Sequence, residues 1–152
     1  MPRRTARRLL LLASVAALTP SSSAATVRTA RTDHRVRFTA TAKVLTVESG
    51  TATLVGLVEG SYGEGAIIYR RTPVGSRERP VGTTYFKNGT ISGTGLIAIV
   101  PAHGGVKFSG TLKIDGGTGR YAGVTGRLTA SGTADAGLTT IHITLAGVLR
   151  YR

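Results

Sequence analysis

The chain has 152 residues, of which 20 are Lys or Arg and 7 are Asp or Glu, so its formal charge is +13 at pH 7. This length corresponds to one domain that is large enough to bury a core. The absence of cysteine excludes disulfide bonds, a lipoprotein anchor, thiol catalysis and cysteine-ligated metal sites.

The first 25 residues have the order of a secretory signal peptide. Met1–Arg8 carries four arginines, Leu9–Leu18 is an apolar run of ten residues, and Ser21–Ala25 supplies the small residues of a cleavage site. Ten apolar residues are too few to span a bilayer. We therefore predict cleavage near residue 25 and export to the extracellular space or the cell envelope. The two arginines before the leucines leave both the general secretory and the twin-arginine route open.

The segment Thr26–Arg35 has few apolar residues and no hydrophobic period, which predicts a flexible basic N-terminal arm. Without the four signal arginines the charge is still +9. A basic exported protein can adhere to anionic envelope polymers or to nucleic acid by non-specific attraction. Nothing indicates specific nucleic-acid binding, and no later apolar run has the length of a membrane span.

The remaining residues, 36–152, predict an all-β domain. Short runs of β-branched and aromatic residues alternate with polar residues and are separated by Gly, Pro and Asn-Gly turns. The predicted strands in chain order are Val36–Glu48, Thr51–Glu59, Glu64–Thr72, Val81–Lys87, Ile91–Val100, Val106–Ile114, Arg127–Ala134 and Thr139–Tyr151. Pro73–Pro80 is interpreted as a polar loop.

Short connections between successive strands favour an up-and-down meander, and closure into a barrel would remove its exposed edges. Asn88-Gly89 predicts a tight hairpin, because both residues tolerate positive φ. A Ser-Gly-Thr tripeptide lies within predicted strands at Ser92, Ser109 and Ser131. Glycine inside a strand marks a sharp bend, and a small coiled barrel needs such bends. The sequence thus predicts a small closed antiparallel β-barrel of about eight strands.

A glycine-rich segment, GGTGRYAGVTG, occupies residues Gly116 to Gly126. Part of it fits the dinucleotide pattern G-x-G-x-x-A, but that pattern must open a helix, and strand-forming residues follow here. The segment resembles the late-strand motif that allene oxide cyclases share with the related dirigent proteins. Its structural residues are Gly116, Gly117, Gly119, Tyr121, Gly123 and Gly126. Alignable similarity covers Val81 to Tyr151.

This resemblance implies an eight-stranded barrel with a central, largely apolar cavity, assembled as a dimer or trimer. Such proteins guide ring closure or radical coupling of small apolar molecules without a metal or organic cofactor. The cavity cysteine of the cyclases is absent from this chain. The resemblance leaves open whether their cavity glutamate corresponds to Glu48, Glu59 or Glu64.

Acid–base chemistry inside a barrel would need a carboxylate or a phenol with a shifted pKa. The candidates by strand position are Glu48, Glu64, Tyr69 and Tyr85, and the candidate ligand-binding residues are Phe38, Tyr62 and Phe108. For each of them a core, rim or solvated position is the alternative. The histidines His34, His103 and His142 have no partners at metal-ligand spacing, so no metal is predicted.

The densest basic cluster of the predicted domain consists of Arg70, Arg71, Arg77 and Arg79. It could bind an anionic group or form a solvated loop. The leading hypothesis from the sequence is a secreted barrel that binds a small apolar molecule, with or without cofactor-free cyclase activity. The alternative is a non-catalytic basic protein of the cell envelope that uses the same barrel for interactions.

Overall fold

The computed structural model describes residues 30–152, so the predicted signal peptide and the first four residues of the predicted arm, 26–29, lie outside the described residues. The described part contains eight strands and a single 3₁₀ turn, Gly119–Tyr121. The strands are β1 Thr32–Glu48, β2 Thr51–Gly60, β3 Gly65–Val74, β4 Arg77–Phe86, β5 Gly89–Ala102, β6 Gly105–Gly117, β7 Thr125–Asp135 and β8 Thr140–Tyr151.

The eight strands form a closed barrel in which each strand pairs antiparallel with its neighbours in sequence and β8 pairs with β1. The predicted up-and-down barrel is therefore confirmed. Successive paired residues, followed once around the barrel from Ile99, return to β5 at Gly89, ten residues along the strand. This stagger means that the strands are strongly tilted against the barrel axis.

The turns divide between the two ends of the barrel. The β1–β2, β3–β4, β5–β6 and β7–β8 turns lie at one end, here called the open end. The β2–β3 and β4–β5 turns lie at the other end together with the segment that joins β6 to β7, and this is called the closed end. The names describe whether the barrel cavity is accessible from that end.

The strand alternation predicted from the sequence holds in the barrel. Inward positions of β6 and β8, such as Leu112, Ile114 and Leu145, lie in or against the core, while Lys107 and Lys113 on the opposite face are exposed. A closed sheet of this size turns alternate side chains into one enclosed space. The apolar stripe of each strand therefore becomes part of a common interior.

Strand β1 differs from its prediction at both ends. It begins at Thr32, because residues 32–35 pair with the last residues of β8; these four residues belong to the barrel and not to the arm. Near its other end, a register shift between Val44 and Thr46 leaves Leu45 as an extra residue. A bulge of this kind reverses the in-and-out alternation. Val47 therefore pairs with the buried Ala52, and the inward parity passes from even to odd positions.

The segment predicted as the loop Pro73–Pro80 is a tight hairpin. β3 continues through Val74, β4 starts at Arg77, and only Gly75 and Ser76 connect them. Gly75 takes a φ of 59°, which glycine adopts without strain. Because the two prolines lie in paired strands rather than in a loop, the residues between them acquire a defined inward or outward direction.

The hairpin predicted at Asn88-Gly89 is present, but its geometry is shifted by one residue. Phe86 pairs with Gly89, so Lys87 and Asn88 form the turn. Positive φ occurs at Gly89 and not at Asn88. The dipeptide thus marks the hairpin, whereas the two turn residues are Lys87-Asn88.

The glycines of the repeated Ser-Gly-Thr tripeptide lie where neighbouring strands approach closely. A Cβ on Gly132 would lie 2.0 Å from the carbonyl oxygen of His142 and 2.4 Å from the ring of Phe108. A Cβ on Gly110 would lie 2.2 Å from the carbonyl oxygen of Leu96. These glycines permit the strong coiling that a small barrel requires.

Candidate functional site

The barrel encloses a cavity of about 110 Å³ that is lined by side chains from all eight strands. Its wall is mainly aliphatic and aromatic, with Ile67, Ile97, Phe108, Leu128 and Ile143 among its residues. No polar or charged residue of the described chain is fully buried. The cavity wall is therefore largely apolar, and its few polar side chains are half-buried.

Three of these polar side chains, Tyr69, Arg71 and Glu78, lie at the open end of the cavity and are here called the polar mouth. The Arg71 guanidinium donates from Nη1 to both Glu78 carboxylate oxygens, at 3.2 and 3.3 Å. The two side chains are only 13% and 20% exposed. An ion pair so far removed from water holds its geometry better than a fully exposed pair.

Tyr69 provides a neutral hydroxyl beside this ion pair. Burial raises the pKa of the Tyr69 phenol well above its usual value; the charge of Arg71 opposes this shift and that of Glu78 adds to it. The phenol therefore remains protonated at physiological pH and can donate a hydrogen bond. The polar mouth offers one neutral donor, one cation and one carboxylate.

The closed end of the cavity is sealed by five aromatic rings, here called the aromatic plug: Phe38, Tyr62, Phe86, Tyr121 and Tyr151. Ring centroids within the plug are 4.8 to 6.1 Å apart, in stacked, tilted and edge-on arrangements. These are favourable geometries for aromatic pairs. Four of the five residues are buried, and burial raises the pKa of both Tyr62 and Tyr121.

The glycine-rich segment holds Tyr121 in this plug. The backbone N–H of Arg120 donates to the Asn88 carbonyl at 2.8 Å, and the N–H of Thr118 donates to the Thr90 carbonyl at 3.0 Å. The segment is thereby fastened to the β4–β5 turn. A Cβ on Gly119 would lie 2.3 Å from the Asn88 oxygen, so only glycine allows this close approach.

The other glycines of the motif divide into two groups. At Gly117 and Gly126 a Cβ would lie 2.5 and 2.3 Å from backbone oxygens. Gly116 and Gly123 have room for one, although Gly123 takes a φ of 71°. The motif is therefore a backbone device that closes one end of the barrel.

The structure separates the candidate catalytic residues. Tyr69 lines the cavity. Glu48 is exposed and pairs with Thr51 on the outward side of the bulge in β1, and Glu64 is exposed in the β2–β3 turn. Tyr85 is exposed on the outer wall. The bulge is the reason for the position of Glu48, since an uninterrupted alternation would have turned it inward with Val36 and the residues that follow.

The candidate ligand-binding residues also divide between locations. Phe38 and Phe108 line the cavity. Tyr62 lies in the aromatic plug and faces an open, polar surface pocket outside it, beside Asn88 and Arg120. The seven candidate residues, four catalytic and three ligand-binding, together do not form one site.

The histidines lie outside the cavity. His34 belongs to β1 and stacks on Tyr151, with ring centroids 4.1 Å apart. His103 is exposed in the β5–β6 turn, and His142 is on the outer wall with its Nδ1 3.2 Å from the Thr41 hydroxyl. Within residues 30–152 no three His, Asp or Glu side chains are grouped as a metal site would require.

Glu78 and the inward direction of Arg71 were not predicted from the sequence. Glu78 lay in the segment assigned as a loop between two prolines, whereas Arg71 lay in the predicted strand Glu64–Thr72, on the same face as Tyr69. The signal that could have identified Glu78 is the pair Gly75-Ser76, which suits a two-residue hairpin. With that turn in place Glu78 takes the inward parity, and Arg70, Arg77 and Arg79 of the predicted basic cluster are exposed, as observed.

The described residues include no helix with the length and apolar character needed to cross a bilayer.

Comparisons of the chain with protein-family models, with curated proteins and with solved structures find no match.

Proposed function

We propose that this protein binds a small, largely apolar molecule inside the barrel, with the ligand's polar group at Tyr69, Arg71 and Glu78. The observation that supports the proposal is the combination of an apolar cavity and one group of convergent polar side chains at its accessible end. A concave apolar space with few polar groups is the usual form of a small-molecule site.

The size of the cavity limits the ligand class. An enclosed apolar cavity of about 150 Å³ binds benzene in a protein, so a smaller cavity of about 110 Å³ encloses a short branched chain or part of a ring. Larger ligands would extend past the polar mouth toward solvent. The aromatic plug excludes passage through the closed end.

The polar mouth favours ligands that carry a hydroxyl, carbonyl or carboxylate at one end. The neutral Tyr69 phenol can donate a hydrogen bond to such an oxygen, and Arg71 can share its remaining N–H groups with it. Glu78 keeps the guanidinium in position by its two contacts. A fully apolar molecule of equal shape would leave these groups without a partner and should bind more weakly.

The same residues supply the chemistry for a cofactor-free rearrangement, which the resemblance to allene oxide cyclases predicts. A hydrogen bond from Tyr69 would stabilise negative charge that develops on a ligand oxygen, and the apolar wall would hold the reacting chain in a folded shape. Binding is the primary proposal, and a cyclase or isomerase activity is its extension.

The experiment is calorimetric titration of the protein with three ligands of matched shape: ethylbenzene, 4-ethylphenol and 4-ethylbenzoate. We expect 4-ethylphenol to bind several-fold more tightly than ethylbenzene, since a hydrogen bond contributes about 1 kcal/mol. Tyr69→Phe should reduce this preference without weakening the binding of ethylbenzene.

Two control variants locate the site. Ala130→Leu adds volume to the cavity wall and should weaken all three ligands, whereas Tyr85→Phe on the outer wall should weaken none. The proposal is wrong if the unaltered protein binds none of the three, or if binding is unaffected by Ala130→Leu in a variant that retains its barrel circular-dichroism spectrum.

A further inference from the structure

The open end of the barrel carries exposed apolar side chains on three of its four hairpins. Leu45 and Val47 lie near the tip of the β1–β2 hairpin, Val74 lies on the β3–β4 hairpin and Val100 on the β5–β6 hairpin. Val47 is 66% exposed and Val100 is 60% exposed. These four side chains are here called the apolar rim.

The bulge in β1 helps to form this rim. It makes Leu45 the extra, unpaired residue and places Val47 on the inward side of the hairpin, beyond the end of the cavity. If the register of Val44 with Leu54 continued without the bulge, Thr46 would lie opposite Ala52 in place of Val47. The bulge therefore replaces a hydroxyl group at the entrance by an isopropyl group, which water solvates poorly.

The rim adjoins the cavity at Val47. A second, more open recess at the open end is lined by Val44, Val47, Ala52, Pro73 and Leu138, and it shares Arg71 and Glu78 with the cavity. This recess therefore connects Val47 of the rim, past the polar mouth, with the barrel interior. The aromatic plug leaves the closed end with no equivalent path.

Basic side chains surround the same end. Lys43, Arg70, Arg77, Arg79 and Lys107 are exposed near the turns of the open end, where they outnumber the exposed carboxylates Glu48 and Asp135. Neither of the two ion pairs among residues 30–152 involves them. Apolar groups at the tips with cations behind them match an interface whose interior is apolar and whose surface is negative.

We propose that the open end docks on an anionic phospholipid bilayer, so that an apolar ligand passes from the lipid into the barrel without crossing water. The four rim side chains enter the acyl boundary, and the basic residues contact the lipid phosphates. This inference rests on the proposed function, because it assigns a source to the ligand of the same cavity. The inference goes beyond the proposed function because it assigns a membrane-facing surface to the barrel.

The chain contains no tryptophan, so a single introduced tryptophan reports on one chosen surface. We compare Val100→Trp in the rim with Leu57→Trp on the outer wall, which is also an exposed apolar position. The full-length variants are mixed with vesicles of phosphatidylglycerol and phosphatidylcholine at low ionic strength. The expected result is a shift of Val100→Trp emission to shorter wavelength and strong quenching by brominated lipid, with neither effect at Leu57→Trp.

A second measurement gives the affinity. Replacing Val47 and Val100 by serine should lower partitioning into the anionic vesicles about tenfold or more, since each removes apolar area from the bilayer contact. The matched variant Leu57→Ser with Ile68→Ser on the outer wall should change it little. All variants share residues 1–29, so differences between them report on the barrel.

The proposal is overturned if the rim tryptophan is unaffected by vesicles, if the wall tryptophan responds as strongly, or if vesicles of phosphatidylcholine alone bind equally well. Calorimetry with 4-ethylphenol in solution separates the two proposals. Retained ligand binding without vesicle contact would reject the docking surface alone, and loss of both would reject the function as well.

Discussion

The two ends of the barrel are built from the same kind of strand but have opposite properties. At the closed end, five aromatic rings pack against one another and backbone hydrogen bonds fasten the glycine-rich segment to a neighbouring turn. At the open end, an ion pair and a phenol meet the apolar cavity, and valines and a leucine face solvent. The closed end therefore contributes mainly to stability, and the open end gives access to the cavity.

This division has a physical reason. Aromatic side chains bury large areas and contribute strongly to the stability of a small core, so closure at one end supports the barrel. The open end gives up part of that burial and gains an entrance. For the proposed ligand site, a barrel with two sealed ends would give no access to the cavity, and one with two open ends would lose much of its core.

The largest expected effect is at the closed end. Tyr121→Ala should lower the free energy of unfolding by about 3–5 kcal/mol, because it removes a buried aromatic ring and leaves a cavity. Tyr121 is 3% exposed. Urea denaturation measures the change, with Tyr85→Ala on the outer wall as the matched control. A similar small loss in both variants would contradict the structural role of the plug.

The glycine motif gives a second, smaller contrast. Gly119→Ala should cost about 2–3 kcal/mol, because it combines positive φ with a collision against the Asn88 carbonyl. Gly123→Ala should cost about 1–2 kcal/mol, since it meets the same backbone strain in open space. Equal urea midpoints for the two variants would mean that the close approach to the β4–β5 turn does not restrict the motif.

Alkaline pH should weaken the fold through tyrosines at both ends. The pKa values of Tyr62, Tyr69 and Tyr121 are raised above the ordinary 10.0, so the folded state holds protons that the unfolded chain releases. Their contribution is fully present below pH 10 and is lost as the pH rises through the raised values. We expect the urea midpoint to fall above about pH 10.

Single Tyr→Phe variants would divide this pH dependence between the ends. Tyr69→Phe removes the phenol hydroxyl at the polar mouth, and Tyr121→Phe removes one of the phenol hydroxyls of the plug. Each should flatten the alkaline fall relative to the unaltered chain. If the urea midpoint falls equally at alkaline pH in both variants and in the unaltered chain, other titrating groups cause the fall.

The smallest effect is expected at the two exposed carboxylates of the sequence hypothesis. Glu48→Gln and Glu64→Gln should change the free energy of unfolding by less than about 0.5 kcal/mol and leave 4-ethylphenol binding unaltered. Glu78→Gln should weaken that binding, because it loosens the hold on Arg71. A loss of ligand binding in Glu48→Gln or Glu64→Gln would contradict the assignment of the polar mouth.

Much of the fold could be predicted from local patterns. The alternation in β6 and β8, the hairpin at Asn88-Gly89 and the mid-strand glycines each report a local requirement of a coiled sheet. The candidate site was harder to predict. Tyr69 was identified by its strand position, but nothing local distinguished it from Tyr85, which lies on the outer wall.

The sequence by itself determined the strand alternation, the order of the turns and the segment Gly116–Gly126 as a special backbone, because each depends on neighbouring residues. Only the tertiary structure decided which residues face the interior near the open end. The bulge at Leu45 reversed the parity of β1, and the Gly75-Ser76 turn fixed that of Glu78. A change of one residue in register moves a side chain to the opposite face of a strand. For this reason Glu48 faces outward and Glu78 meets Arg71 inside the barrel mouth.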